Sequence, residues 1–145
     1  MNESRVERKI GAAEFLKSKT LSISIGCDPG KVYEFISNPE NLPKWAKAFC
    51  RSIKKSSGEW VVETPEGPVK VRFVAKNDSG ILDHYVSLVP GAEIFVPMRV
   101  VPNGHGSEVI FTLFQLTDTP NKKFTEDIRW VEQDLNHLKM VMKKR

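Results

Sequence analysis

The sequence predicts an α+β domain in which a curved antiparallel sheet of about seven strands wraps around one long C-terminal helix. Three observations carry that prediction. Residues Leu21 to Ile25 alternate with period two and run directly into a helix start. Residues 48–116 read as six strands whose connections are too short for crossover helices. Residues 120–142 carry one apolar stripe at helical spacing.

Residues 1–18 are polar and weakly patterned, an arm with at most a short helix around Ala12 to Leu16, and residues 19–145 form the single domain. After the first strand, Asp28 caps free N–H groups and Pro29 takes the first helical position, with Val32, Phe35 and Ile36 at helical spacing. Asn38-Pro39 repeats the start signal for a second short helix that Pro43 limits, with Trp45 just beyond. The expected strands are 48–55, 59–64, 68–76, 81–89, 93–101 and 107–116. The turns between them are Ser57-Gly58, Glu66-Gly67, Asn77 to Gly80, Pro90-Gly91 and Asn103 to Gly106. Thr119 and Pro120 open the last helix, whose stripe is Phe124, Ile128, Val131, Leu135, Leu138 and Met142.

Turn lengths fix register, and register fixes faces. With each turn taken at its shortest, Val62 lies opposite Val71, Phe73 opposite His84, Val86 opposite Phe95, and Arg99 opposite Val109. One face then holds Trp60, Val62, Val71, Phe73, His84, Val86, Phe95, Arg99, Val109, Phe111 and Leu113. That face is mainly apolar and aromatic, so it is expected under the helix. His84 and Arg99 become diagonal neighbours within it. A buried guanidinium needs an anionic partner, expected to be Glu132 on the last helix or a carboxylate or phenolate of a ligand.

Composition narrows the function classes. Of 145 residues, 40% are hydrophobic and 28% charged, an ordinary globular balance. No run of apolar residues is long enough for membrane insertion. Met1 to Lys9 has no apolar core of a secretory signal, so a cytoplasmic location is expected, with Cys27 and Cys50 as reduced thiols. The net charge of +4 collects partly at Lys139, Lys143, Lys144 and Arg145, where cations suit a helix C-terminus. No aromatic platform or recognition motif accompanies it, so no nucleic-acid partner is expected. His84, His105 and His137 share no ligand spacing and the cysteines add none, so neither a metal nor a cofactor is implied. There is no nucleophile elbow and no phosphate-cradling loop.

The stretch Cys27-Asp28-Pro29-Gly30-Lys31-Val32-Tyr33-Glu34-Phe35-Ile36, followed by Asn38-Pro39-Glu40-Asn41-Leu42-Pro43-Lys44-Trp45, resembles the opening signature of the SRPBCC (START/polyketide cyclase-dehydrase-like) superfamily. Leu82-Asp83-His84, Pro97 to Gly104 and Phe111 to Phe114 are similar to an uncharacterised branch of it. The resemblance implies a helix-grip fold over residues 19–143 and a cavity between sheet and helix. It names no universal catalytic residue, and the fold hosts carriers, receptors, cyclases and activators of chaperone ATPases. The leading expectation is a binding protein for a small apolar, aromatic or lipid-like molecule, acting as monomer or homodimer. Its expected site is Trp45, Trp60, Phe73, His84, Phe95, Arg99, Phe111, Phe124, Ile128, Val131, Glu132 and Leu135. One alternative is a cyclase or dehydratase in which His84 moves a proton and Arg99 steadies an enolate. Another is a protein-interaction module that uses the outer face and the basic C-terminal end.

Overall fold

The computed structural model describes residues 14–89 and 92–143. Strand β1 (Lys17–Ile25) leads into helix α1 (Pro29–Ser37), a 3-10 turn (Pro39–Asn41) and the short helix α2 (Leu42–Trp45). Strands β2 (Ser52–Ser56), β3 (Glu59–Thr64), β4 (Gly67–Phe73), β5 (His84–Val89), β6 (Ala92–Val96), β7 (Met98–Asn103) and β8 (Gly106–Gln115) follow, then helix α3 (Asn121–Lys143). The order is β1-β8-β7 in a three-stranded sheet and β2-β3-β4-β5-β6 in a five-stranded one, with antiparallel neighbours throughout.

The helix starts obey the sequence signals. Asp28 accepts from the N–H groups of Gly30 at 3.0 Å and Lys31 at 3.3 Å. Asn38 accepts from Glu40 N–H at 3.1 Å. Pro43 differs from expectation: it sits in the first turn of α2, where a missing N–H costs nothing, and so opens that helix rather than limiting it. Trp45 ends α2. Of the expected N-terminal arm, residues 1–13 lie outside the described residues, residues 14–16 are not helical, and β1 begins four residues earlier than the alternation suggests. The expected Pro90-Gly91 turn and the last two residues of the basic end, Lys144 and Arg145, also lie outside them.

The expected strand 93–101 is two strands, because Pro97 has no N–H to give a ladder. The chain passes there from one sheet to the other. Asp83 holds the break: its carboxylate accepts from Met98 N–H at 2.9 Å and from the Arg99 guanidinium at 3.3 Å. Leu82 N–H to Met98 O at 2.8 Å and Val100 N–H to Gly80 O at 3.0 Å keep the sheets joined. Gly80 has φ +71°, and a Cβ there would stand 2.2 Å from the Val100 carbonyl oxygen, so no larger residue fits this approach.

Register agrees with expectation in part. Phe73 lies opposite His84 and Val71 opposite Val86, as expected. Between β3 and β4 the turn is Pro65-Glu66, so Val62 lies opposite Val69 and Trp60 opposite Val71. That shift of two leaves every side chain on its expected face. Two shifts of one do not. Val89 lies opposite Ala92, the pairing a two-residue turn requires, but a bulge between Ser87 and Val89 brings Val86 opposite Ile94 and His84 opposite Val96. Phe95 is thereby turned to the outer face, 39% exposed and 5.2 Å from the Tyr85 ring. Between β7 and β8 the turn is only Gly104-His105, with Gly104 at φ +57°. Arg99 therefore lies opposite Ile110 on the outer face, while Met98 and Val100 point inward.

Helix α3 packs closely on β1 and α2, and its Phe124, Leu135, Leu138 and Met142 are buried. Among the described residues no strand of the five-stranded sheet approaches α3 as β1 does. The tightest core comprises Val32, Ile36, Val62, Val109 and Leu138, none with accessible surface. No helix among the described residues is long and apolar enough to cross a membrane.

Candidate functional site

The concave side of the sheet is filled unevenly. Val62, Val69, Val71, Val86, Val96, Met98, Val100 and Val109 are buried against the core. Trp60, Phe73, Ile94 and Phe111, on the same inner face, are only half-buried, as are Ile128 and Val131 on the stripe of α3. The unclosed apolar surface thus lies where α3 stands off from the five-stranded sheet.

His84 is the buried titratable residue on this face. It is 9% exposed, with its ring centroid 4.8 Å from Phe73 and 5.9 Å from Phe111. Nδ1 lies 3.0 Å from the Leu82 carbonyl oxygen, an atom that only accepts, so Nδ1 carries the hydrogen. Burial holds the ring below the ordinary histidine pKa and outweighs the opposing pulls of the Leu82 bond and the Asp83 charge. The ring is therefore neutral, and Nε2 is an acceptor with no hydrogen-bond partner among the described residues.

Arg99 is not part of this arrangement. Its side chain is 48% exposed on the outer face and pairs with Asp83, whose side chain is 12% exposed. The expected His84–Arg99 pair on one face is thus corrected by the short Gly104-His105 turn, and Glu132, exposed on α3, is the partner of neither. A proton-moving histidine beside an enolate-stabilising arginine is not assembled here. Phe95 is removed from the site by the Leu88 bulge. Trp45, Phe124 and Leu135 are core residues at 4%, 5% and 3% exposure, which leaves Trp60, Phe73, His84, Phe111, Ile128 and Val131 of the expected set. Ile94 joins them, a residue that only the bulge brings inward.

A second buried polar group lies on α3 itself. Asp134, 4% exposed, accepts from the backbone N–H groups of Ala48 at 2.7 Å and Phe49 at 3.3 Å, pinning the connection between α2 and β2. Burial pushes its carboxyl up to about 6 against the pull of those bonds and of His137. Burial, with the Asp134 charge adding to it, pushes the Cys50 thiol up to about 11, which keeps it an inert thiol. His137 is half-buried, 3.9 Å from Asp134. Asp134 lies one position off the apolar stripe, so periodicity did not mark it. No group of three or more His, Cys, Asp or Glu able to hold a metal occurs among the described residues.

Comparison with known proteins agrees with this architecture. Residues 18–140 match the profile of a family described as polyketide cyclase / dehydrase and lipid transport. No curated protein matches. Among solved structures, the protein XoxI from Bacillus cereus superposes with a TM-score of 0.71 at 17% identity, covering 88% of this chain and 96% of that one. Ara h 8.0201 superposes at 0.68 with 14% identity, covering 90% and 99%. DynU16, a protein of the dynemicin biosynthetic locus, superposes at 0.67 with 13% identity, covering 87% of this chain and 47% of its own. At such identities the shared property is the helix-grip fold.

Proposed function

Because the chain belongs to the polyketide cyclase / dehydrase and lipid transport family, within the SRPBCC superfamily, we propose that it binds a small apolar or aromatic molecule between the five-stranded sheet and α3. The observation that carries this reading is His84: a neutral, nine-tenths buried imidazole with one nitrogen committed to Leu82 and the other unpartnered, set among half-buried Phe73, Phe111, Trp60 and Ile94. A largely apolar site with one directed polar group suits a ligand with one polar end.

The tautomer specifies that end. Nε2 accepts, so the ligand contributes a donor, a phenol or alcohol hydroxyl. The anionic end expected from an inward-facing arginine loses that counter-charge once Arg99 is outside. Thermal shift and native mass spectrometry with paired probes test this, 1-naphthol against 1-methoxynaphthalene and hexadecanol against palmitate. The hydroxylated member of each pair should stabilise the protein. At a hundredfold excess over Kd the gain is about 2.7 kcal/mol, several degrees in Tm for a domain of this size. Absence of a shift and of an adduct with all four probes would sink the binding reading. Equal response to 1-naphthol and its methyl ether would sink the role of His84.

A further inference from the structure

We propose that the free edge of the five-stranded sheet, together with α2 beside it, docks on an anionic lipid surface. Between Asn41 and Gly58 the chain has five cations, Lys44, Lys47, Arg51, Lys54 and Lys55, and no acidic residue. The remainder of the sequence has 17 Lys and Arg against 18 Asp and Glu, so this stretch alone makes the chain basic. The fold lines the five residues along one sheet edge, with Lys54 and Lys55 alternating to its two faces. β2 is an edge strand, α2 packs against it, and all five cations are exposed.

Their charges are also free. Lys70, Arg72, Lys76, Arg99 and Lys123 each meet a carboxylate within 3.3 Å. Among the described residues Lys44, Lys47, Arg51 and Lys54 meet none, and Lys55 lies over the Trp60 ring at 5.4 Å. The nearest acids by register, Glu59 and Glu63, are one strand further in, and Glu59 is already paired with Lys70.

Four of the five are lysines, compact charges on long apolar stems that follow a headgroup layer without the fork geometry phosphate-by-phosphate nucleic-acid reading favours. No uncovered aromatic ring accompanies them as a base platform, since Trp60 is covered by Lys55. A laterally spread basic edge therefore fits the leaflet of an anionic membrane, and each cation brought to such a surface raises partitioning about fivefold. This docking does not require that the concave face hold a ligand.

The test is co-sedimentation of the full chain with phosphatidylcholine vesicles and with vesicles containing phosphatidylglycerol. Binding is expected to the anionic vesicles only, and to be lost in high salt. The variant K44E/K47E/R51E should lose at least about a hundredfold in partitioning, and K44Q/K47Q/R51Q about tenfold or more with an unchanged Tm. The equally charged control K31E/K122E/R129E, made at exposed positions elsewhere, should lose much less. Three results would overturn the proposal: no binding to anionic vesicles, equal loss in the control, or binding retained by both triple variants. Tighter, patch-dependent binding to an oligonucleotide than to vesicles would assign the edge to nucleic acid instead.

Discussion

Asp134 and His84 are both buried polar side chains, and their surroundings treat them differently. Each oxygen of Asp134 receives a backbone N–H, from Ala48 and Phe49. His84 spends one nitrogen on Leu82 and keeps the other. Burial disfavours the charged form at both, raising the carboxyl and lowering the imidazole. The difference lies in satisfaction. The fully bonded group is a clasp between α3 and the connection before β2, and the half-bonded group keeps one nitrogen without a partner among the described residues. Neither polar burial nor an open valence marks a binding site by itself, since Trp45 Nε1 and His137 Nδ1 are also buried without a partner among the described residues; what sets His84 apart is the half-buried apolar surface around it.

The clasp is where disruption should be largest. Asp134→Ala leaves two N–H groups without an acceptor and is expected to cost about 2 kcal/mol of stability at neutral pH, measured by urea unfolding. Asp134→Asn keeps one acceptor oxygen and removes the buried charge, so its cost should be under about 1 kcal/mol. The two variants also differ in pH response. The carboxyl stands at about 6 in the fold against 3.8 when free, so the folded chain holds the proton more tightly between those values. The stability this group contributes is complete below about pH 4, declines as pH rises to about 6, and is flat above. Subtracting the Asp134→Asn profile from that of the native chain should isolate the decline. A flat difference between pH 4 and 6 would mean that Asp134 is hydrated rather than clasped.

Most of the fold was legible because it rests on local chemistry. The caps at Asp28 and Asn38, the turn at Ser57-Gly58 and the stripe of α3 are each written in a few adjacent residues. Half of the candidate site was not legible, for a definable reason. Faces survive even errors in register and invert with odd ones. The misplaced turn between β3 and β4 was an even error, so Trp60, Val62 and Phe73 stayed on the inner face. The bulge after Ser87 and the two-residue Gly104-His105 turn were odd errors, and they reversed Phe95 and Arg99. The turn carried a usable signal, Gly104 at the first position of a two-residue hairpin loop. The bulge carried none, since Ser-Leu-Val reads as uninterrupted strand. Asp134 needed knowledge of which loop passes over α3, a long-range fact that no periodicity encodes.

The sheet break at Pro97 offers an intermediate case. Asp83 there is satisfied like Asp134, by Met98 N–H and the Arg99 guanidinium, and it too is buried, but one of its two donors is a half-exposed guanidinium. Asp83→Ala should therefore cost less than Asp134→Ala, about 1–2 kcal/mol, because it strands one buried backbone donor, Met98 N–H, where Asp134→Ala strands two. A cost above that of Asp134→Ala would reverse the ranking of the two clasps.

At the unsatisfied group the expectation is a separation of stability from binding. His84→Leu fills similar space, removes an unpartnered acceptor and leaves the Leu82 carbonyl without one donor, so the net change in stability should be within about 1 kcal/mol of zero. Discrimination between 1-naphthol and its methyl ether should vanish with it. A variant that loses stability as Asp134→Ala does would place His84 with the clasps.

The smallest effect is expected at Arg99, and it decides between the two registers. Its ion pair is half-exposed, a geometry in which pairs contribute about 0–1 kcal/mol, so Arg99→Ala should move the unfolding midpoint little and leave probe affinity unchanged. In the register expected from turn lengths alone, the same substitution would remove a buried charge from the ligand face and weaken binding of the acidic probe most. Palmitate and hexadecanol titrated into the native chain and into Arg99→Ala separate these outcomes. A loss confined to palmitate would return the arginine to the inner face and restore the anionic ligand that its outward position argues against.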